Sequence, residues 1–96
     1  MKKFLVLFHD TWEMKPEVMD AWQVWFAKVG DRLVDSGNPF AAGIEVTHSG
    51  SRELSDRDGA ATGYSIISAE SREDAEQLLA GCPYSSNVRL YEASAM

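Results

Sequence analysis

The chain has one cysteine, Cys82, two histidines, His9 and His48, and nine lysines and arginines against fifteen aspartates and glutamates. A single thiol excludes both an internal disulfide framework and a four-cysteine zinc site. The histidines have no His-x-x-x-His spacing, and Asp56-Arg57-Asp58 lacks the length and alternation of a calcium loop, so no metal is expected. The shortage of positive charge sets the net charge at −6, and Lys2-Lys3 is the only adjacent basic pair. A phosphate backbone finds no complementary patch, and no nucleic-acid partner is expected. Long apolar runs are missing too. None approaches the ~18 residues that span a bilayer, and no signal segment precedes the first strand-like run. The expectation is a soluble, cytoplasmic protein without a membrane partner. Gly59-Ala60-Ala61-Thr62-Gly63 lacks the lysine and following helix of a phosphate loop, and no cofactor is expected.

What is present reads as one domain, residues 1–96, with 45% hydrophobic residues. Residues 3–9 are apolar on both alternating sets, Phe4, Val6 and Phe8 on one side and Leu5 and Leu7 on the other. A strand with one wet face alternates apolar with polar, so this one needs cover on both sides. From Pro16, an early-helix proline, Val18, Trp22, Trp25, Val29 and Leu33 recur at spacings of four, three, four and four, with Met14 extending the row backwards. The pattern predicts a long amphipathic helix ending between Val34 and Gly37, with Gly30 as a point of bending or early termination. Met19, Ala21, Val24 and Phe26 widen its apolar sector. After the turn Gly37-Asn38-Pro39, Ile44 and Val46 alternate with Glu45 and Thr47 and predict a half-buried second strand through His48. Residues 49–59 are a polar loop or hairpin tip, and residues 64–68 a third strand. Ser71 caps a second helix with Glu73 and Asp74 in its first turn. Ala75, Leu78, Leu79 and Cys82 face inward from it, Gly81 and Pro83 end it, and residues 88–93 form a fourth strand.

The order βαββαβ with right-handed crossovers is an α+β, ferredoxin-like arrangement, a four-stranded antiparallel sheet with both helices on one side. The other face is bare in an isolated subunit. Leu5 and Leu7 or their opposite set fall on it, with residues from Ile44, Ile66 or Ile67, and Leu90 or Tyr91. An apolar face of ~500–700 Å² is more than a monomer ordinarily leaves wet. A homodimer through the sheet face is the expected remedy, and a chain end or polar loop laid over the sheet is the plain alternative.

Several segments carry a family resemblance. They are Phe4-Leu5-Val6-Leu7-Phe8, Gly30-Asp31-Arg32-Leu33-Val34-Asp35-Ser36-Gly37, Gly63-Tyr64-Ser65-Ile66-Ile67, the run 71–75, Cys82-Pro83-Tyr84 and Leu90-Tyr91-Glu92. Together they resemble the YCII-related family, including its DGPF-type branch. Cys82-Pro83-Tyr84 looks like the family's Asp-Pro-Tyr element. Asp58-Gly59 matches the first half of the Asp-Gly-Pro-Phe signature, with Ala60-Ala61 in place of the rest. The resemblance implies a dimeric α/β barrel, similar to muconolactone-isomerase-like and related ligand-binding proteins, and in a few members enzymatic work on small ring compounds. The family's helix histidine has no counterpart between Asp10 and Thr47, where Asp20 and Trp22 stand instead.

His9 closes the first strand beside Asp10, where pockets are common, and its imidazole suits proton transfer near neutral pH. Neighbours on an extended strand point to opposite faces, so the two need not form a dyad. His48 borders the polar loop with Arg52, Asp56, Arg57 and Asp58. As hairpin neighbours, Asp58 would orient His48 as a general base, and Arg52 would hold an anionic substrate or stabilise an enolate-like charge. A solvated loop whose charges keep it soluble is the plainer reading. Trp22 and Tyr64 are candidates for substrate contact. With Trp12, Trp25 and Phe26, Trp22 makes an aromatic group able to line an apolar pocket, although its helical spacing to Trp25 also suits a core or interface. Cys82 has no neighbouring base to make it a nucleophile. The leading expectation is binding of a small apolar or acidic molecule in a helix–sheet cleft. The alternative is a cofactor-free lyase, isomerase or dehydratase acting on a small ring acid or lactone through a His–Asp general base.

Overall fold

The first strand takes the central place that its two apolar sides require. The computed structural model describes all residues except 10–14, 56–57, 84–86 and 95–96. The described chain runs β1 (Lys2–Phe8), α1 (Pro16–Val29), a 3-10 turn (Gly30–Arg32), β2 (Leu33–Asp35), β3 (Ile44–Thr47), β4 (Gly50–Glu53), β5 (Gly63–Ala69), α2 (Arg72–Leu78) and β6 (Val88–Ala93). The main sheet has the order β2-β5-β1-β6, with every pairing antiparallel. Met14 and the Asp10–Thr11 break before α1 lie outside the described residues.

Both helices cover one face. Phe4, Val6 and Phe8 alternate onto it from β1 and Ile67 and Ala69 from β5. Trp25, Val29, Ala75 and Leu79 meet them from the helical side, all buried. The Trp25 indole N–H donates to the Leu78 carbonyl (2.8 Å), and the Lys28 ammonium donates to the Ala80 carbonyl. These bonds tie α1 to the end of α2. The inward row expected for the second helix is present, with Cys82 also buried.

Two expectations are corrected. The long helix does not run on to residues 34–37 but takes the early termination offered at Gly30: it stops at Val29, where Gly30 makes the last helical bond, N–H to the Phe26 carbonyl, and adopts φ +60°. A glycine in the left-handed region closes a helix at no steric cost. Leu33, expected as the last member of the helical row, instead opens β2 opposite Ile67. The second strand of the main sheet is therefore Leu33–Asp35 and not residues 44–48. Ile44–Thr47 pairs with β4 in a separate two-stranded hairpin, in register from Ile44↔Glu53 to Thr47↔Gly50. Its expected half-burial is absent: Ile44 is 59% and Val46 73% exposed.

With the hairpin set aside, the main sheet follows the order β1-α1-β2-β5-α2-β6, an α+β arrangement compatible with a ferredoxin-like fold. On the face away from the helices, Leu5 lies between Ile66 and Tyr91, and Leu7 between Tyr64 and Arg89. Leu5, Leu7 and Ile66 are half-buried, and Tyr91 is 51% exposed. Ile67 packs on the helical side, as does Leu90. Among the described residues, no helix is long and apolar enough to cross a membrane.

The start of α2 is held by reciprocal capping. The Ser71 hydroxyl accepts from the Asp74 N–H (3.1 Å), as expected of an N-cap, and the Asp74 carboxylate accepts from the Glu70 N–H (3.0 Å). The same carboxylate pairs with the Arg32 guanidinium, whose Nε donates to the Ser68 carbonyl (2.9 Å). The Glu70 N–H first, and Arg32 second, hold the Asp74 carboxyl below the usual carboxylate range. A lowered folded-state value stabilises the fold above the unfolded value near ~3.9 and stops doing so as pH falls through the folded one. Asp74→Asn is therefore expected to lower the urea midpoint at pH 7, with the gap from the wild type closing below about pH 4. Urea titrations at several pH values check this.

Candidate functional site

An apolar cleft of about 310 Å³ opens between α1 and the β2–β5 side of the sheet. One wall is helical. Met19, Trp22, Gln23 and Phe26 lie three and four residues apart and so share one face of α1. Phe8 and Ser65 form the floor, and residues 36–39 with Tyr64 form the other wall. Trp22 is fixed edge-on against Phe8 (ring centroids 5.2 Å apart, 87°) and against Trp25 (5.7 Å, 81°).

The loop wall is held in place against β5 at Ser36 and Gly37. Ser65 is buried and its hydroxyl donates to the Ser36 carbonyl (2.8 Å), while the Gly37 N–H donates to the Asp35 carboxylate (2.8 Å). Gly37 has φ +77°, and a Cβ there would lie 1.6 Å from the Tyr64 carbonyl oxygen. Only glycine allows this approach. Among the described residues the lining carries no charged side chain. The volume lies at the small end of ligand pockets and suits a one- or two-ring molecule.

The expected site residues divide between places. Trp22 lines the cleft with Phe26, whereas Trp25 belongs to the core and Trp12 lies outside the described residues. Tyr64 borders the cleft, but its side chain is otherwise engaged. Its hydroxyl donates to Asp35 (3.0 Å), its ring stacks on Phe40 (5.6 Å, 20°), and the Asp35 carboxylate holds the phenol above its ordinary pKa.

His48 and Asp58 are not brought together. The hairpin reverses at His48-Ser49, so His48 stands at the exposed tip while Asp58 follows the far end of β4. Asp58 accepts from the Ser55 N–H (2.8 Å), the Ser55 hydroxyl (3.1 Å) and Arg52 (3.0 Å). The Ser55 N–H first, then Arg52, hold its carboxyl below the usual range. Arg52 also donates to Glu45 (2.8 Å), and its two carboxylate partners raise its pKa. This guanidinium is already neutralised by the chain's own acids, which leaves it poorly suited to gripping an anion. Asp56 and Arg57 lie outside the described residues.

His9 is different. Its Nδ1 lies 3.3 Å from the Ala60 carbonyl, an acceptor, which places the proton on that nitrogen. Its Nε2 is buried, with no hydrogen-bond partner among the described residues. In the neutral ring that atom carries a lone pair. Asp10, its sequence neighbour, lies outside the described residues, as does Tyr84 of the Cys82-Pro83-Tyr84 element. No group of three His, Cys, Asp or Glu that could hold a metal ion occurs among the described residues.

Sequence reasoning missed the contributions of Gln23 and of Ser36 with Asn38 to the cleft. The turn Gly37-Asn38-Pro39 was the one signal for that wall. Comparison with family models, curated proteins and solved structures finds no match for this chain.

Proposed function

We propose that the chain is a small-molecule-binding domain, of the YCII-related kind that its sequence resembles, and that it takes a neutral, apolar one- or two-ring compound in the cleft beside Trp22. The carrying observation is the lining: aromatic and aliphatic side chains with a few polar groups and no charge among the described residues. An acidic ligand would lose its hydration there without gaining a cation. Of the two ligand chemistries, apolar is therefore favoured over acidic. Prodan, a neutral fluorophore built on the two fused rings of naphthalene, is expected to bind saturably, one per chain, with energy transfer from Trp22 and Trp25. Met19 is 50% exposed at the mouth, so Met19→Glu keeps the fold and is expected to weaken binding about tenfold by placing a charge at an apolar entrance. Equal binding by that variant would move the ligand elsewhere.

A second reading, a cofactor-free lyase, isomerase or dehydratase, is favoured by the His9 Nε2, which is buried and has no partner among the described residues. A bare imidazole nitrogen is what a general base needs. On that reading His9→Ala removes turnover of a small ring acid or lactone in a direct spectrophotometric assay and leaves fluorophore binding intact. Turnover that survives the substitution eliminates His9 as the base.

The working form we propose is a homodimer joined through the open sheet face. The chain exposes 6851 Å², whereas a compact monomer of its 10.6 kDa exposes roughly 5,500 Å². The surplus, roughly 1,400 Å², exceeds the ~800 Å² per partner of a standard interface. The radius of gyration is likewise 14.5 Å, against ~12.5 Å for a compact chain of this length. Sedimentation velocity at micromolar concentration is expected to give a species twice the chain mass, and Leu7→Glu a monomer. A wild-type chain that sediments as a monomer throughout removes this form.

A further inference from the structure

We infer that the β3–β4 hairpin is a dimerisation arm that lays its Ile44–Val46 side on the open sheet face of a second copy of this chain, with Glu53 of the arm set against the partner's Arg89. This rests on the homodimer reading above and specifies how the interface is completed.

The two sides of the hairpin are unlike. On one, Arg52 bridges Glu45 and Asp58, and the Thr47 hydroxyl donates to the Gly50 carbonyl (3.2 Å), so the polar groups satisfy one another. On the other, cross-strand pairing aligns Ile44 with Glu53 and Val46 with Ser51. This side leaves two β-branched hydrophobics mostly in water. A two-stranded hairpin alone is marginal in water and gains stability when an apolar side is covered.

The apolar surface leads from the sheet to the arm. Leu7 and Tyr64 are cross-strand neighbours on the open face. The Tyr64 ring stacks on Phe40, whose N–H donates to the Thr62 carbonyl (2.7 Å), and the arm begins four residues later. Area favours a joint interface. At ~3.3 Å per residue and ~4.8 Å between strands, the strands of three, seven, seven and six residues make a planar footprint of only ~360 Å², below the ~800 Å² that a standard partner surface buries. The arm supplies part of the remainder.

Charge identifies the partner surface. The chain carries a net charge of −6, so two copies repel unless the touching surfaces differ in sign. Lys3 and Arg89 lie on the open face, in register with Ser68 and Leu7. Neither makes an ion pair among the described residues, and the same holds for Glu53. The arm leaves from the β2–β5 edge, where Pro39 bridges Gly63, while Arg89 and the half-exposed Tyr91 stand on β6 at the opposite edge. Two-fold pairing places each arm over the partner's far edge and makes the contact twice.

The test is sedimentation of single variants and of a charge swap, each at an exposed position, with circular dichroism to verify the fold. Val46→Glu and Glu53→Arg are each expected to weaken dimerisation about tenfold. Glu53→Arg combined with Arg89→Glu is expected to restore the wild-type constant to within about threefold. If both single variants dimerise at full strength while Leu7→Glu is monomeric, the arm is overturned and the sheet-face dimer stands. A swap that fails to rescue overturns the Glu53–Arg89 contact. A wild-type chain that never dimerises overturns the arm and the homodimer together.

Discussion

Everything in this structure follows from a central strand that is apolar on both sides in a fold that brings helices to only one. Phe4, Val6 and Phe8 are sealed by Trp25, Val29 and Ala75, and that layer supplies the core. Leu5 and Leu7 sit on the same seven-residue strand, and among the described residues no helix covers them: Leu5 has Ile66 and Tyr91 beside it, and Leu7 has Tyr64 and Arg89. Because β1 carries both sets, no local change of register can hide the second without exposing the first. The excess surface and the flattened outline, 43 × 39 × 18 Å, are the global expression of this one-sided cover.

The parts of the fold written as local chemistry were legible in the sequence. A run apolar on both sides located β1, residues 64–68 were placed within β5, and Ser71 with its acidic first turn located the start of α2. What depended on a choice between equal local signals was not. Leu33 extends a helical row as well as it opens a strand, and the conformation of Gly30 decides between them. Ile44 and Val46 show the alternation of a half-buried core strand. That pattern says one side is apolar and nothing about which surface covers it. A three-residue strand such as β2 is too short to show any period.

The candidate site was legible in the same uneven way. Trp22 belonged to a visible aromatic group, but the loop wall opposite it exists only because the chain folds back onto β5. The His48–Asp58 pairing failed on a matter of position: the reversal at His48-Ser49 sends the two residues to opposite ends of the hairpin. Electrostatics then separates the charged region from the cleft. Arg52, Glu45 and Asp58 neutralise one another on the hairpin side, and the space beside Trp22 is left without ions among the described residues. An imidazole nitrogen at the end of β1 stands apart from both, buried and without a hydrogen-bond partner among the described residues.

The contact at Gly37 has an evolutionary consequence. Main chain lies against main chain there, with no room for even a methyl group, so drift cannot place a side chain at that position. The helical side has no such constraint: Met19 and Gln23 reach solvent and carry little of the core. Change in the shape of the cleft is therefore easiest at Met19 and Gln23 on α1, while the approach at Gly37 stays fixed.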